Sequence, residues 1–372
     1  MSVTLARRRP ALGHRSLAAL ATLFLALFPA ADRAVASLAP ESADAPPSLP
    51  APASVPAPAT TSLPFGIPGH GRLLLAVPAG WWGEAKEVED PAGLALRFGP
   101  VSGASFAVQV TVFAPPRGPT TPEQLREAAK GASDDLAPHS VEESPAVEEL
   151  QGPFARLAFA SATDREWVDR APPEGEWRYV TQGGAGAGPL LAVFTILTDG
   201  RDAPGRAAAL EMLRTARAVP AGEGPSALRL VGGGRALTAE LPGLEVLALD
   251  ALPGGAGTRV MGSLPGSFMV TLTIERAPEG MTQATEVREA RWTNGAAKTP
   301  AEKTQVRLSS REGMEMVSYL IPAFREVEIR QKHVHGYLAG GGAIGEVHLS
   351  KVRHEPGDDA GFERILATVR LQ

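Results

Sequence analysis

The chain has 372 residues, which at ~100–200 residues per domain predicts two or three domains. It contains no cysteine, and this excludes disulfides, thiolate metal ligands, a cysteine nucleophile and lipid anchoring through cysteine. A formal net charge of −5 does not suit a nucleic-acid binder, and 44% hydrophobic residues suffice to bury a sizeable core.

Residues 1–36 read as an export signal. Arg7, Arg8, Arg9 and Arg15 make a basic start. Leu17 to Phe28 is an apolar run too short for a comfortable membrane span, and Ala34-Val35-Ala36 offers small residues for cleavage before Ser37. No twin-arginine pair precedes a polar patch, so ordinary Sec export is expected, to the periplasm or the cell exterior. The mature chain is expected to be soluble, without a transmembrane segment. Losing residues 1–36 removes five arginines and one aspartate, which takes the net charge from −5 to −9. Such a chain is repelled by phosphate backbones and anionic membranes, so no nucleic-acid partner is expected. Residues 37–66 are dominated by Pro, Ala and Ser without an apolar period, and predict a semi-stiff disordered tether.

Beyond the tether one pattern occurs twice. Val110-Thr111-Val112 with Pro116-Arg117-Gly118 lines up with Leu272-Thr273-Ile274 and Pro278-Glu279-Gly280. Arg126-Glu127-Ala128 lines up with Arg288-Glu289-Ala290, and Met212-Leu213-Arg214 with Ile365-Leu366-Ala367. The period is too long for a solenoid, so residues 67–222 and 228–372 are read as two domains related by tandem duplication.

In the first copy, strands are expected over Arg72–Val77, Leu94–Phe98 and Phe106–Val112 from their alternating apolar residues. Thr121-Pro122-Glu123 starts a helix that continues through Leu136. Further strands follow near Val147–Leu150, Ala155–Ala160, Glu176–Thr181 and Leu190–Thr198, and a last helix begins near Pro204. The second copy predicts strands at Thr238–Leu241, Thr258–Met261 and Phe268–Ile274, then a helix over Thr282–Trp292. Strands near Thr304–Ser309, Glu315–Ile321, Glu326–Tyr337 and Ile344–Val352 come next. Phe362, Ile365, Leu366 and Val369 mark the closing helix. Each copy thus reads β-β-β-α-β-β-β-β-α, an α+β class with an antiparallel sheet.

The run Arg72-x-Leu74-x-x-Val77-Pro78-Ala79-Gly80-Trp81, within residues 72–82, resembles the PsbP-like superfamily, which includes DcrB-like exported proteins. So do the Thr121-Pro122-Glu123-x-Leu125 helix start, Tyr179 in a late strand, and the closing helix with Met212-Leu213. The second copy departs from it, with Leu244 where Trp81 is expected. The resemblance implies two tandem α-β-α sandwiches, each an antiparallel sheet with two main helices. It also implies an accessory or binding role rather than catalysis.

Few residues offer chemistry. Gly183–Gly188 (GGAGAG) is followed by a strand and not a helix, so it reads as a flexible hairpin and not a phosphate loop. Gly232–Gly234 fits a domain linker, and Gly340–Gly342 a second hairpin. Asp164, Glu166 and Asp169 with Arg165 and Arg170 read as a solvated mixed-charge segment. No nucleophile–base pair stands out, so no enzyme is expected. His333-Val334-His335 places two imidazoles on one strand face, where both can reach one metal ion. His348 joins them only in one register: a turn centred on Gly341 sends it to the opposite face, and a half-residue shift that pairs it with His333 brings it to theirs. By sequence alignment the first-copy counterparts of His335 and Tyr337 are Trp177 and Tyr179. Trp81 and Trp82 face opposite ways on a strand, so one can anchor a partner. The leading expectation is an exported non-enzymatic protein without a cofactor that binds a protein or cell-envelope component. The rival is a metal or small-ligand binder using His333, His335 and His348.

Overall fold

The computed structural model describes residues 60–101, 106–220, 223, 226–252, 256–298 and 301–372. The expected signal peptide and the tether up to residue 59 lie outside the described residues. In the first half the order is β1 (Thr60–Ile67), β2 (Gly71–Pro78), β3 (Trp81–Glu89), β4 (Ala92–Pro100), β5 (Phe106–Phe113) and α1 (Pro122–Leu136). Then come β6 (Val147–Gln151), β7 (Arg156–Thr163), β8 (Tyr179–Ala187), β9 (Leu190–Thr198), α2 (Pro204–Arg214) and β10 (Arg217–Val219). The second half opens with β11 (Ala227–Gly232), β12 (Arg235–Glu240), β13 (Glu245–Ala251), β14 (Gly257–Leu264), β15 (Phe268–Arg276) and α3 (Ala284–Lys298). It ends with β16 (Thr304–Arg311), β17 (Met314–Phe324), β18 (Val327–Gly340), β19 (Ala343–Lys351), α4 (Asp359–Leu366) and β20 (Arg370–Leu371). The second half repeats the element order of the first.

The sheets repeat as well. β1-β2-β10 and β11-β12-β20 are two three-stranded sheets. The other strands form one 14-stranded sheet in the order β16-β17-β18-β19-β15-β14-β13-β3-β4-β5-β9-β8-β7-β6. Each half supplies seven of those strands in matching order, and the halves meet where β13 pairs antiparallel with β3, Ala248 opposite Glu84 and Leu249 opposite Gly83.

This architecture corrects the expected fold class. The protein is mainly antiparallel β with few helices, not a pair of α-β-α sandwiches with two main helices each. Two features account for the difference. Strands β3 and β13, given no bounds by the sequence pattern, are the edges of the two halves, and they pair with each other at Glu84 and Gly83. The three-stranded sheets also do much of the covering that helices were expected to do. Leu63, Phe65 and Ile67 of β1 are at most 2% exposed, although residues 60–66 were expected to belong to the tether. With Leu73, Leu75 and Val77 of β2 they join Leu96, Phe98, Val108 and Val110 in a core that continues to Leu230, Leu237, Val270 and Val369. The supposed linker at Gly232–Gly234 is the turn between β11 and β12, with Gly232 paired to Arg235.

Helix α1 begins as its residues predict. Thr121 is the N-cap, and its backbone N–H donates to Gln124 Oε1 at 2.9 Å while Gln124 N–H donates to Thr121 Oγ1 at 3.3 Å. Its buried face, led by Leu125 and Ala129, lies against Ala158. The run Gly183–Gly188 explains how it lies so close. Residues 183–187 are strand, not hairpin loop, and only Gly188-Pro189 turns. A Cβ on Gly184 would stand 3.2 Å from Leu125, and one on Gly186 would stand 3.4 Å from it. The glycines serve close packing beneath a helix.

Candidate metal centre

The turn between β18 and β19 decides the site. Gly341 and Gly342 have φ of 57° and 78°, the left-handed pair that a two-residue hairpin turn requires and that glycine adopts without steric cost. Gly340 therefore pairs with Ala343, and His335 lies directly opposite His348. His333 precedes His335 by two residues and shares its face. The neighbouring strand adds Tyr319, opposite His333, and Val317, opposite His335. Three histidines and a tyrosine thus share one patch of sheet. Each imidazole offers a nitrogen, and these three atoms all lie within 4.8 Å of one another.

The side chains interlock. His333 Nδ1 and His348 Nε2 share a proton across 3.0 Å. His335 Nδ1–H donates to Glu346 Oε1 at 3.3 Å, which turns its Nε2 lone pair toward the Tyr319 hydroxyl 3.4 Å away. The rings are nearly parallel: His335 and His348 stack at 4.0 Å, Tyr319 and His333 at 4.9 Å. His333 Nε2 is buried and meets no hydrogen-bond partner among the described residues. Leaving such a group unpaired costs about 1–3 kcal/mol.

Helix α3 roofs this face. Val287 on it is fully buried with Val317, Tyr319, Ile321 and Tyr337. Glu286 fixes the helix entry by accepting the backbone N–H groups of Thr282 and Gln283 at 2.9 and 3.1 Å. Arg288 pairs with Glu315 of β17 at 2.6 Å, and the Trp292 ring lies 5.4 Å from that of Tyr319. Burial under this roof, then the neighbouring charges of His335 and Lys303, push His333 down to about 4. Burial, then His335 and His333, push His348 down to about 2. Both are neutral at pH 7 and keep the lone pairs a metal ion needs. Burial, helped by the Glu346 charge, raises the Tyr319 hydroxyl above its usual value and keeps it protonated.

The first half supplies an internal comparison. Its corresponding hairpin closes with Ala187 opposite Leu190, as this one closes with Gly340 opposite Ala343. Matching the two places His333, His335 and His348 over Val180, Gln182 and Thr195. Tyr319 then falls over Ala162, which pairs with Val180 as Tyr319 pairs with His333. The sequence-based match to Trp177 and Tyr179 is out of step by a few residues, because the segment before β8 has a different length in each copy. In the first half this patch is closed by Leu136, Ala160, Ala162 and Val180, all at most 1% exposed. Val180 and Ala162 there, with Gln182 and Thr195 beside them, build the same patch without a single imidazole, so imidazoles are not needed to build the fold.

Trp81 and Trp82 lie elsewhere, on β3, with four strands of the sheet between it and β18. Trp81 is buried against Phe106, ring centroids 4.7 Å apart. Trp82 is half-buried, with the Arg97 guanidinium 5.5 Å from its ring centre. Asp164, expected to be solvated, is 1% exposed and accepts the Glu166 N–H at 2.8 Å, capping the turn Arg165–Trp167. Tyr319 and Glu346 were missed as site residues. Both sit in expected strands, and pairing those strands in register is the signal that finds them.

No family model matches the chain, so the PsbP-like resemblance gains no support there, and no curated protein matches it. Among solved structures it is similar to the apo immunity protein TplEi of the T6SS from Pseudomonas aeruginosa. That match has a TM-score of 0.35 and 9% identity over 84% of this chain and 96% of that one. A TM-score of that size does not define a shared fold. Among the described residues no helix is long and apolar enough to cross a membrane, which bears on helices alone.

Proposed function

We propose that this protein is a non-enzymatic binding protein whose ligand is a transition-metal ion held by His333, His335 and His348. One observation supports the reading above all: three imidazole nitrogens within 4.8 Å of one another, on a face that the first half builds with Val180, Gln182 and Thr195 instead. Imidazole suits zinc, copper, iron and nickel, whereas magnesium, calcium and manganese prefer oxygen ligands. Glu346 supports the set as the carboxylate behind His335, fixing its tautomer and ring orientation. In this reading residues 1–36 direct export, and N-terminal sequencing of the exported chain starts at Ser37.

The test loads the purified, metal-stripped protein with zinc(II), copper(II) or manganese(II), removes free metal and measures what stays bound. One zinc or copper ion per chain is expected, none in His333→Ala/His335→Ala, and no manganese. No retained metal, or equal retention in a folded variant, ends the proposal.

A second reading, docking of a protein partner, has one observation in its favour. Val306 and Leu308 on edge strand β16 are 45% and 57% exposed, and Phe324 and Val327 at the tip of the β17–β18 hairpin are 44% and 63% exposed. Affinity capture from envelope extract should then recover a partner that Phe324→Ser/Val327→Ser loses.

A further inference from the structure

The three histidines have a fourth neighbour of different chemistry. Tyr319 Oη lies 3.4 Å from His335 Nε2, and His333 Nδ1 lies 3.0 Å from His348 Nε2. A tetrahedral ion with bonds of ~2.0–2.1 Å needs ligand atoms about 3.3 Å apart. Both pairs therefore already stand near the length of a tetrahedron edge, one on each side of the cluster. Each pair is now joined by a proton, between two nitrogens in one and between oxygen and nitrogen in the other. An ion entering the cluster takes the place of those protons and draws on the same lone pairs; the proton between the two imidazoles passes to the other nitrogen of the ring that carried it, so both rings stay neutral.

Tyr319 is well placed for such a role. It is 8% exposed, and its ring is held between Trp292 and His333, with centroids 5.4 and 4.9 Å away. Its aim toward His335 therefore does not depend on a mobile side chain. The first half has Ala162 at the matching position, in line with its lack of all three histidines.

Resting on the metal-binding reading above, we infer that Tyr319 is the fourth ligand, making a closed site of three imidazoles and one phenolate for a divalent transition-metal ion. Three borderline nitrogens and one anionic oxygen, without thiolate or thioether, favour copper(II) over copper(I). Copper(II) stands at the top of the divalent affinity order for such sites, and a phenolate bound to it absorbs in the visible region, so it serves as the probe ion. Coordination forms one copper–oxygen bond and breaks the O–H bond of Tyr319, and the released proton goes to the buffer. No electron is transferred. The site is a holding site, because four protein ligands leave no position for a reacting water.

The experiment titrates the metal-stripped full chain with copper(II) and compares it with Tyr319→Phe, which keeps the ring and removes only the hydroxyl. Absorbance and calorimetry are recorded, the latter in buffers of different ionisation enthalpy. The wild-type protein should develop a phenolate-to-copper charge-transfer band in the visible region. Tyr319→Phe should lack that band, release one proton fewer per copper and bind at least about tenfold more weakly, a loss no smaller than that of an outer-shell partner. If both proteins bind copper(II) equally, with the same proton count and no charge-transfer band, Tyr319 is not a ligand and the three-histidine reading survives. If the wild-type chain binds no copper(II), the metal-binding reading itself falls.

Discussion

Acid should strip stability from the metal-free protein through two of its site histidines. His333 and His348 have folded-state pKa values of about 4 and about 2, both below the ordinary 6.5. Above pH 6.5 both are neutral whether the chain is folded or not, and they add no pH dependence. Below it the unfolded chain takes up two protons that the folded chain refuses. Stability therefore falls with falling pH, down to about pH 4 for His333 and about pH 2 for His348. At 1.36 kcal/mol per unit of pKa, the two together cost about 5 kcal/mol by pH 4.5. That is a large share of the ~5–15 kcal/mol typical of a folded protein. The assay is urea unfolding with a metal chelator present, at several pH values from 7 to 4.5, followed by circular dichroism. Carboxylates titrate in the same range, so the quantity to read is the difference from His333→Val/His348→Thr, which carries the first-half residues of Val180 and Thr195. The variant should show a flatter acid limb by about 5 kcal/mol over this range. Equal slopes in the two proteins would refute the argument that these imidazoles are buried and neutral.

Three other outcomes are expected. Trp81→Ala removes a buried ring packed against Phe106 and should cost about 3–5 kcal/mol in denaturant unfolding, whereas Trp82→Ala loses chiefly a contact with Arg97, ~0.5–1 kcal/mol. Thr121→Ala breaks both hydrogen bonds that open α1 and should lower stability by about 1 kcal/mol, read from the urea midpoint. Gly341→Val/Gly342→Val forces branched side chains into the left-handed region at φ of 57° and 78°. It should cost about 1–2 kcal/mol per residue, and it should weaken metal retention by disturbing the pairing of His335 with His348. Unchanged retention in that double variant would show that the turn does not set the site.

Local signals in this chain were reliable where the chemistry is local. Thr121-Pro122 starts a helix because a hydroxyl cap and a ring-fixed φ act within one turn. Leu190–Thr198 is a strand with the bounds its apolar run implies. The strands that escaped include β1, within a Pro-rich stretch, and β3 and β13, each of which has the other as its second, remote partner at the seam. Their residues carry no strong alternation, and they are strands because other strands meet them. The Gly183–Gly188 run misled for a similar reason. Glycine marks both a turn and a surface where a helix must come close, and only the position of Leu125 above Gly184 distinguishes them.

By itself the sequence determined that a pattern is written twice, where most helices and strands begin, and that His333 and His335 share a face, since strand periodicity is a property of the chain alone. The tertiary structure decided that the two halves join into one sheet. It also decided that the turn holds two glycines, which sets His348 opposite His335, and that Tyr319 comes in from the next strand. Those depend on register and on edge pairing. A shift of one residue moves every side chain to the other face, and nothing along the chain records which partner strand stands alongside.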